Sequence, residues 1–176
     1  MESILREWKV GYSAREKEMS NSSLASSTNQ RLDAARRMLA QSQHADEDWL
    51  TPSFETSSIF QLRSALNGLL QEVKSMYQLA ADIDVTSLLE EGNTKGITVP
   101  VLKELDLLQA DKNSWLSQLN LAYDIAFECR PNKAAGAVGI SSNLIVTGSD
   151  SGTSTKYILN SLVEIVLRFR EDAAEY

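Results

Sequence analysis

The most regular run of apolar residues in this chain advances by three or four positions at each step. Its members are Ile59, Leu62, Leu66, Leu69, Val73, Met76 and Ala80. Because an α-helix has about 3.6 residues per turn, this spacing keeps all seven side chains on one face, and a helix buries such a face against other helices. The pattern predicts a long helix that opens at Pro52 or Ser53 and continues to Ala81.

A second apolar stripe follows, from Pro100 to the residues before Pro131. It consists of Val101, Leu105, Leu108, Trp115, Leu119, Ala122 and Ala126. The stripe lacks an apolar residue over 111–114, where Asn113 or Ser114 could cap a new helical start. We therefore expect one helix with a kink at this point.

Two shorter segments complete the predicted core. The last helix is predicted to begin at Ser154 or Thr155, and it buries Ile158, Leu162, Ile165, Val166 and Phe169. A helix over 28–44 is predicted to begin at a cap on Thr28 or Asn29, and its inward positions are Leu32, Ala35 and Leu39. Residues 84–91 fit one further short helix, followed by a turn at 92–96.

The segments on either side of these helices set the predicted domain organisation. Residues 2–19 have the spacing of an amphipathic helix that carries Trp8 and Tyr12, while 20–27 is a small polar run that suits a linker. The Gly-rich and Ser-rich stretch 131–152 is predicted to be a long loop. The prediction is an all-α, four-helix bundle. It has an N-terminal arm and linker at 1–27, one domain at 28–172 and a long loop before the last helix.

Composition limits the functions that this chain can have. Its 176 residues fit one domain, and 17 basic against 24 acidic residues give a net charge of -7, which disfavours nucleic acid as a partner. Cys129 is the only cysteine, so no internal disulfide can form. There is no secretory apolar run near Met1 and no apolar stretch of roughly 18 residues. A cytoplasmic location without membrane insertion is expected.

Candidate chemistry is sparse. One histidine and one cysteine are too few for the usual zinc or di-iron ligand sets, so no metal or other cofactor is predicted. The spacing of Arg37 and His44 resembles the Arg-x4-6-His motif of the HEPN ribonucleases. In that hypothesis the imidazole moves a proton and the guanidinium holds charge on the phosphate. The alternative interpretation is a solvent-facing arginine and a histidine at a helix end.

Three other features bear on function. Carboxylates that border the apolar stripes, such as Glu72, Asp124 and Glu164, could form polar contacts between helices. A further interpretation is a small-molecule sensor with a pocket between helices, which a deep apolar cavity near Trp115 would favour. We favour a non-enzymatic protein-interaction module, with Trp8, Tyr12 and the loop 131–152 as contact candidates and with a homodimer as one possible assembly.

Three segments together resemble a bacterial family of small helical proteins of unknown function. They are Thr28-Asn29-Gln30-Arg31-Leu32, Leu66-Asn67-Gly68-Leu69-Leu70-Gln71-Glu72-Val73 and Ser114-Trp115-Leu116-Ser117-Gln118-Leu119. The resemblance covers residues 28–148. It implies a bacterial source and a compact helical fold, and it assigns no functional residue.

Overall fold

The structure, a computed structural model, describes the backbone of residues 2–44, 50–129 and 151–174. Side chains are described over 22–44, 50–129 and 155–174. These residues form helices α1 (Glu2–Ser42), α2 (Leu50–Met76), α3 (Val85–Thr94), α4 (Pro100–Ala110), α5 (Trp115–Phe127) and α6 (Ser151–Ala174). No strand occurs among them, so the all-α prediction is confirmed. Six helices lie within the described residues, so the predicted four-helix bundle is not confirmed.

The predicted linker at 20–27 is wrong. Helix α1 continues through this segment without a break, and Thr28 lies inside the helix instead of capping its start. Small polar residues cost a helix only a few tenths of a kcal/mol each, and a helix that is already formed on both sides propagates through them. The division between an arm at 1–27 and a domain at 28–172 stays a prediction.

Helices α1 and α2 form an antiparallel pair. The Thr51 hydroxyl donates to the Ser42 carbonyl at the connection, at 3.3 Å. Further along, the Ser58 hydroxyl donates to the Ala35 carbonyl, also at 3.3 Å. Helix α2 also packs on α5 and α6, and α5 packs on α6, so α2 lies at the centre of the fold.

The predicted apolar stripes form the core. Its fully buried large side chains are Leu62, Leu66, Leu69, Leu70, Val73, Leu88, Leu102, Leu105, Leu116, Leu119, Ile158 and Leu162. Trp115 belongs to the same core, with 5% of its surface exposed. None of the described helices is both long enough and apolar enough to cross a membrane.

Helix α2 ends five residues before the predicted limit. Gln78 adopts a left-handed conformation with φ 52°, and the Leu79 amide donates to the Lys74 carbonyl at 3.0 Å. The Gln78 amide donates to the Ser75 carbonyl, which completes a Schellman motif at the end of the helix. Glycine usually occupies the left-handed position, so Gln78 hides this end from a sequence-based prediction.

The kink predicted at 111–114 is a complete break between two helices. The Ser114 side chain accepts a hydrogen bond from the Ser117 amide at 3.1 Å and caps α5. The same hydroxyl donates to the Leu108 carbonyl near the end of α4. One serine therefore ends one helix and starts the next.

The beginnings of two other helices were also predicted. Helix α3 starts after Asp84, which accepts from the Ser87 amide at 2.8 Å; this bond lowers the pKa of the Asp84 carboxyl. The prediction over 84–91 is confirmed, although the helix continues to Thr94. Helix α6 starts at Ser151, three residues before the predicted Ser154. Most of the predicted loop, residues 131–150, lies outside the described residues.

Candidate functional site

A buried ion pair joins α2 to α6. Arg170 on α6 donates to Glu72 on α2 through two parallel bonds, Nε to Oε2 and Nη2 to Oε1, each 2.9 Å long. The Glu72 side chain is 7% exposed and that of Arg170 is 25% exposed. Two parallel bonds fix both the distance and the relative orientation of these helices.

Helix α1 completes this arrangement, which we call the Glu72 cluster: Ala25, Thr28, Asn29, Glu72 and Arg170. The Thr28 hydroxyl donates to Glu72 Oε1 at 2.5 Å. Arg170 donates through Nη1 to Asn29 Oδ1 at 2.8 Å and through Nη2 to the Ala25 carbonyl at 3.2 Å. Three helices therefore meet at one carboxylate and one guanidinium.

A glycine allows α1 and α2 to approach at this point. A Cβ atom added to Gly68 would lie 2.6 Å from Thr28 Oγ1, closer than real Cβ atoms come. Only the hydrogen of glycine fits there, so Gly68 lets Thr28 reach Glu72, one helical turn further along α2.

The Glu72 cluster is suited to holding helices together. Both oxygens of Glu72 accept hydrogen bonds from a guanidinium, and one accepts a third from Thr28. Because these hydrogen bonds come from within the protein, the Glu72 carboxylate stabilises the packing of the helices and is not presented to a substrate. The sequence suggested Glu72, Asp124 and Glu164 as contacts between helices. The structure confirms Glu72, whereas Asp124 and Glu164 are exposed. The partner Arg170 was not predicted, because no sequence pattern near Arg170 indicates that its side chain contacts α2.

The proposed ribonuclease pair lies at the end of α1. Arg37 is 77% exposed and pairs with Asp33 on the preceding turn at 2.6 Å. His44 follows the helix end, is exposed, and has its Nδ1 2.8 Å from the Ala40 carbonyl. Each residue has a local partner one turn earlier. The nuclease hypothesis stays a prediction.

A second feature, on the outer side of α2 and α5, is built from aromatic rings. The Phe60 ring meets the Tyr123 ring edge-on with centroids 5.3 Å apart, and Tyr123 stacks on Phe127 at 5.6 Å. Phe60 is 37% exposed and Phe127 is 66% exposed. We call the rings of Phe60, Tyr123 and Phe127 the aromatic surface.

Two charged residues adjoin the aromatic surface. The guanidinium carbon of Arg63 lies 5.8 Å from the centroid of the Tyr123 ring. Asp124 is exposed and precedes Phe127 by three positions, so the two are neighbours on α5. The apolar pattern of the sequence does not single out Phe60 or Phe127. These residues are far apart in the sequence, and only the packing of α2 against α5 brings them together.

The other candidate residues are less informative. Trp8 and Tyr12 lie on α1, but their side chains fall outside the described residues. Trp115 packs inside the core. Within the described part of the chain, no group of three or more His, Cys, Asp or Glu side chains could hold a metal ion.

Comparison with known families adds one finding. Residues 19–176 match a family of unknown function (DUF6586). The chain belongs to this family. The DUF6586 match is longer than the resemblance seen over 28–148, and it includes both the Glu72 cluster and the aromatic surface. No curated protein and no solved structure matches the chain.

Proposed function

We propose that this protein is a non-enzymatic protein-interaction module, and that the aromatic surface is where it contacts its partner. The observation that carries the proposal is the exposure of Phe127, which is 66% exposed although it stacks on Tyr123. Aromatic residues are enriched among the residues that dominate binding energy at interfaces. Covering such a ring stabilises a complex by about 1.5 to 3 kcal/mol.

The arrangement of the rings favours a binding surface over accidental exposure. Single exposed apolar side chains are common on proteins, and Leu107, which is 72% exposed, is an example. Phe60, Tyr123 and Phe127 instead form one contiguous group on two helices. Both helices are anchored in the core, so little conformational entropy is lost on binding.

We also make proposals about the source and cellular location of the protein and about the packing of its helices. We propose a bacterial source, which the resemblance to a bacterial family supports, and a cytoplasmic location, which the use of a single cysteine supports. We also propose that the helices occupy four packing positions, namely α1, α2, α6 and the broken pair α4 and α5. The short break at Ser114 supports this arrangement.

Site-specific photo-crosslinking in the native cells tests the proposed contact. A photo-reactive phenylalanine analogue at position 127 should give a discrete crosslinked product. The same analogue at Leu107, an equally exposed position outside the aromatic surface, should give none. The Phe60→Ser change should reduce crosslinking from position 127. Absence of any product at position 127 would contradict the proposed surface.

Two further arms address the other hypotheses. The photo-reactive analogue at Trp8 or Tyr12 tests whether the first turns of α1 also touch a partner. Incubation of the purified protein with RNA tests the ribonuclease hypothesis. Cleavage that is lost in both His44→Ala and Arg37→Ala would overturn the non-enzymatic proposal.

A further inference from the structure

Two residues of opposite charge adjoin the aromatic surface, Arg63 on α2 and Asp124 on α5. On α2, Phe60 is followed one turn later by Arg63. On α5, Asp124 lies between Tyr123 and Phe127. Among the described residues, neither Arg63 nor Asp124 pairs with an opposite charge within 4.0 Å. Asp124 is exposed, and Arg63 is half-buried with its guanidinium against the Tyr123 ring.

A surface with a positive residue on one helix and a negative residue on the other can be complementary to itself. A two-fold axis that lies between α2 and α5 and runs along them would place the α2 side of one copy against the α5 side of the other. Arg63 of each copy would then face Asp124 of its partner, and the rings would pack together at the centre. We infer that the aromatic surface binds a second copy of this chain and forms a two-fold symmetric dimer. The inference rests on the proposed function and names its partner.

The small size of the surface sets the expected strength of this dimer. Three partly exposed rings and two charges form an interface at the low end of the range for specific complexes, which begins near 1,200 Å² in total. We therefore expect reversible association with a Kd in the micromolar range, on the order of 1 to 100 μM. The two charge pairs should make association weaker as salt concentration rises.

Sedimentation of the purified full chain over a concentration series tests the dimer. The wild type should shift from 19.5 kDa toward twice that mass as concentration rises. Phe127→Ser should raise the dimer Kd at least about tenfold, because a central aromatic side chain is lost. Leu107→Ser removes an equally exposed apolar side chain elsewhere and should leave the Kd unchanged. Circular dichroism confirms that each variant is folded.

Charge reversal tests the proposed pairing directly. Arg63→Glu and Asp124→Arg should each abolish self-association, because like charges would face each other twice. An equimolar mixture of the two variants should restore the dimer, since every facing pair in the mixed dimer is again opposite. Arg63→Glu combined with Asp124→Arg in one chain should also self-associate. A mixture that stays monomeric would overturn the two-fold arrangement.

The outcomes separate this inference from the proposed function. A wild type that remains monomeric at several hundred micromolar overturns the inference. If crosslinking from position 127 then yields a product of some other mass, the proposed function stands with a different partner. If crosslinking also fails, both are wrong. A crosslinked product of twice the chain mass supports both.

Discussion

At the scale of single residues, the Arg170 side chain donates hydrogen bonds to two other helices. Its guanidinium donates to a buried carboxylate on α2 and to two acceptors on α1. Removing a charge from water costs free energy that only such partners can offset. If one partner is lost, the other is left buried without compensation, so the pair is sensitive to truncation from either side.

We predict that Arg170→Ala lowers the free energy of unfolding by about 2 to 3 kcal/mol, which is below the range of roughly 3 to 5 kcal/mol for fully buried pairs because Arg170 is partly exposed. Urea denaturation at neutral pH measures this loss. Arg168→Ala is the matched control, because Arg168 pairs with Glu104 at 2.7 Å in a largely exposed position. It should cost less than about 1 kcal/mol. Equal losses for the two variants would contradict the assigned role of Arg170.

Gly68→Ala is predicted to destabilise the protein although alanine is the better helix former. Alanine gains about 1 kcal/mol in an unconstrained helix interior. Here its Cβ would come within 2.6 Å of Thr28 Oγ1, and overpacking of this kind costs about 1 to 3 kcal/mol. Thermal unfolding should show a lower Tm for Gly68→Ala and no loss for Asn67→Ala, its exposed neighbour. A higher Tm for Gly68→Ala would refute the close approach of α1 and α2.

At the scale of elements, the connection between α2 and α3 is held by one carboxylate. Glu91 on α3 accepts from the Ala80 and Ala81 amides, at 2.7 and 2.6 Å, and pairs with Lys95 at 2.6 Å. The hydrogen bond from Lys95 and those from the backbone lower the pKa of Glu91 to about 2. The ionised carboxylate thus ties α3 to the chain that leaves α2.

The depressed pKa predicts how acid affects stability. In the unfolded chain Glu91 binds a proton near its ordinary pKa of 4.5, whereas in the folded protein it does so only near 2. The unfolded state therefore binds more protons in this window, so the contribution of Glu91 is complete above pH 4.5 and is lost as pH falls toward 2. Urea midpoints of wild type and Glu91→Gln should differ at pH 7 and converge at low pH. For the neighbouring change Glu90→Gln, the difference in urea midpoint from the wild type should be the same at pH 7 and at low pH.

The helices were predictable to the extent that local residues determine them. The apolar stripe of α2, the short helix that begins near Asp84 and the cap at Ser114 each depend on residues close together in the sequence, and the structure bears them out. The prediction of a linker failed because residues 20–27 are helical only as the continuation of helix on both sides, which their own composition does not show. The end of α2 was not predicted because Gln78 occupies the left-handed position, where glycine usually marks the end of a helix.

The two candidate sites were less predictable than the helices, because both are made across elements. Glu72 and Arg170 are 98 positions apart. A charged residue near the edge of an apolar stripe suggests a partner but does not say which one. Phe60 and Phe127 lie in separate helices, and only the packing of α2 on α5 unites them through Tyr123.

At the scale of the whole molecule, α1 is much longer than its partner. Its 41 residues span about 60 Å, whereas the 27 residues of α2 span about 40 Å. The two helices pair from Ser42 and Thr51 back to Thr28 and Gly68. The family match begins at residue 19, near the far end of this paired stretch.

Removing residues 1–18 is predicted to leave the remaining fold intact. Among the residues whose side chains are described, the hydrogen bonds that join α1 to α2 and α6 involve Ala25 and residues after it. We expect the Tm to change by less than about 2 °C, as measured by circular dichroism at 222 nm. Removing residues 1–30 also deletes Thr28 and Asn29 and should lower the Tm by several times as much. A large loss from the shorter truncation would show that the first turns of α1 belong to the folded core.

The contact between Gly68 and Thr28 also has a consequence for how this sequence can vary. The space between the two backbones admits one small side chain, which Thr28 already fills. Related chains with alanine at position 68 should therefore carry a smaller residue at position 28, and chains that keep threonine there should keep glycine opposite. Positions 28 and 68 should therefore covary among related chains, so that the combined volume of their two side chains stays nearly constant.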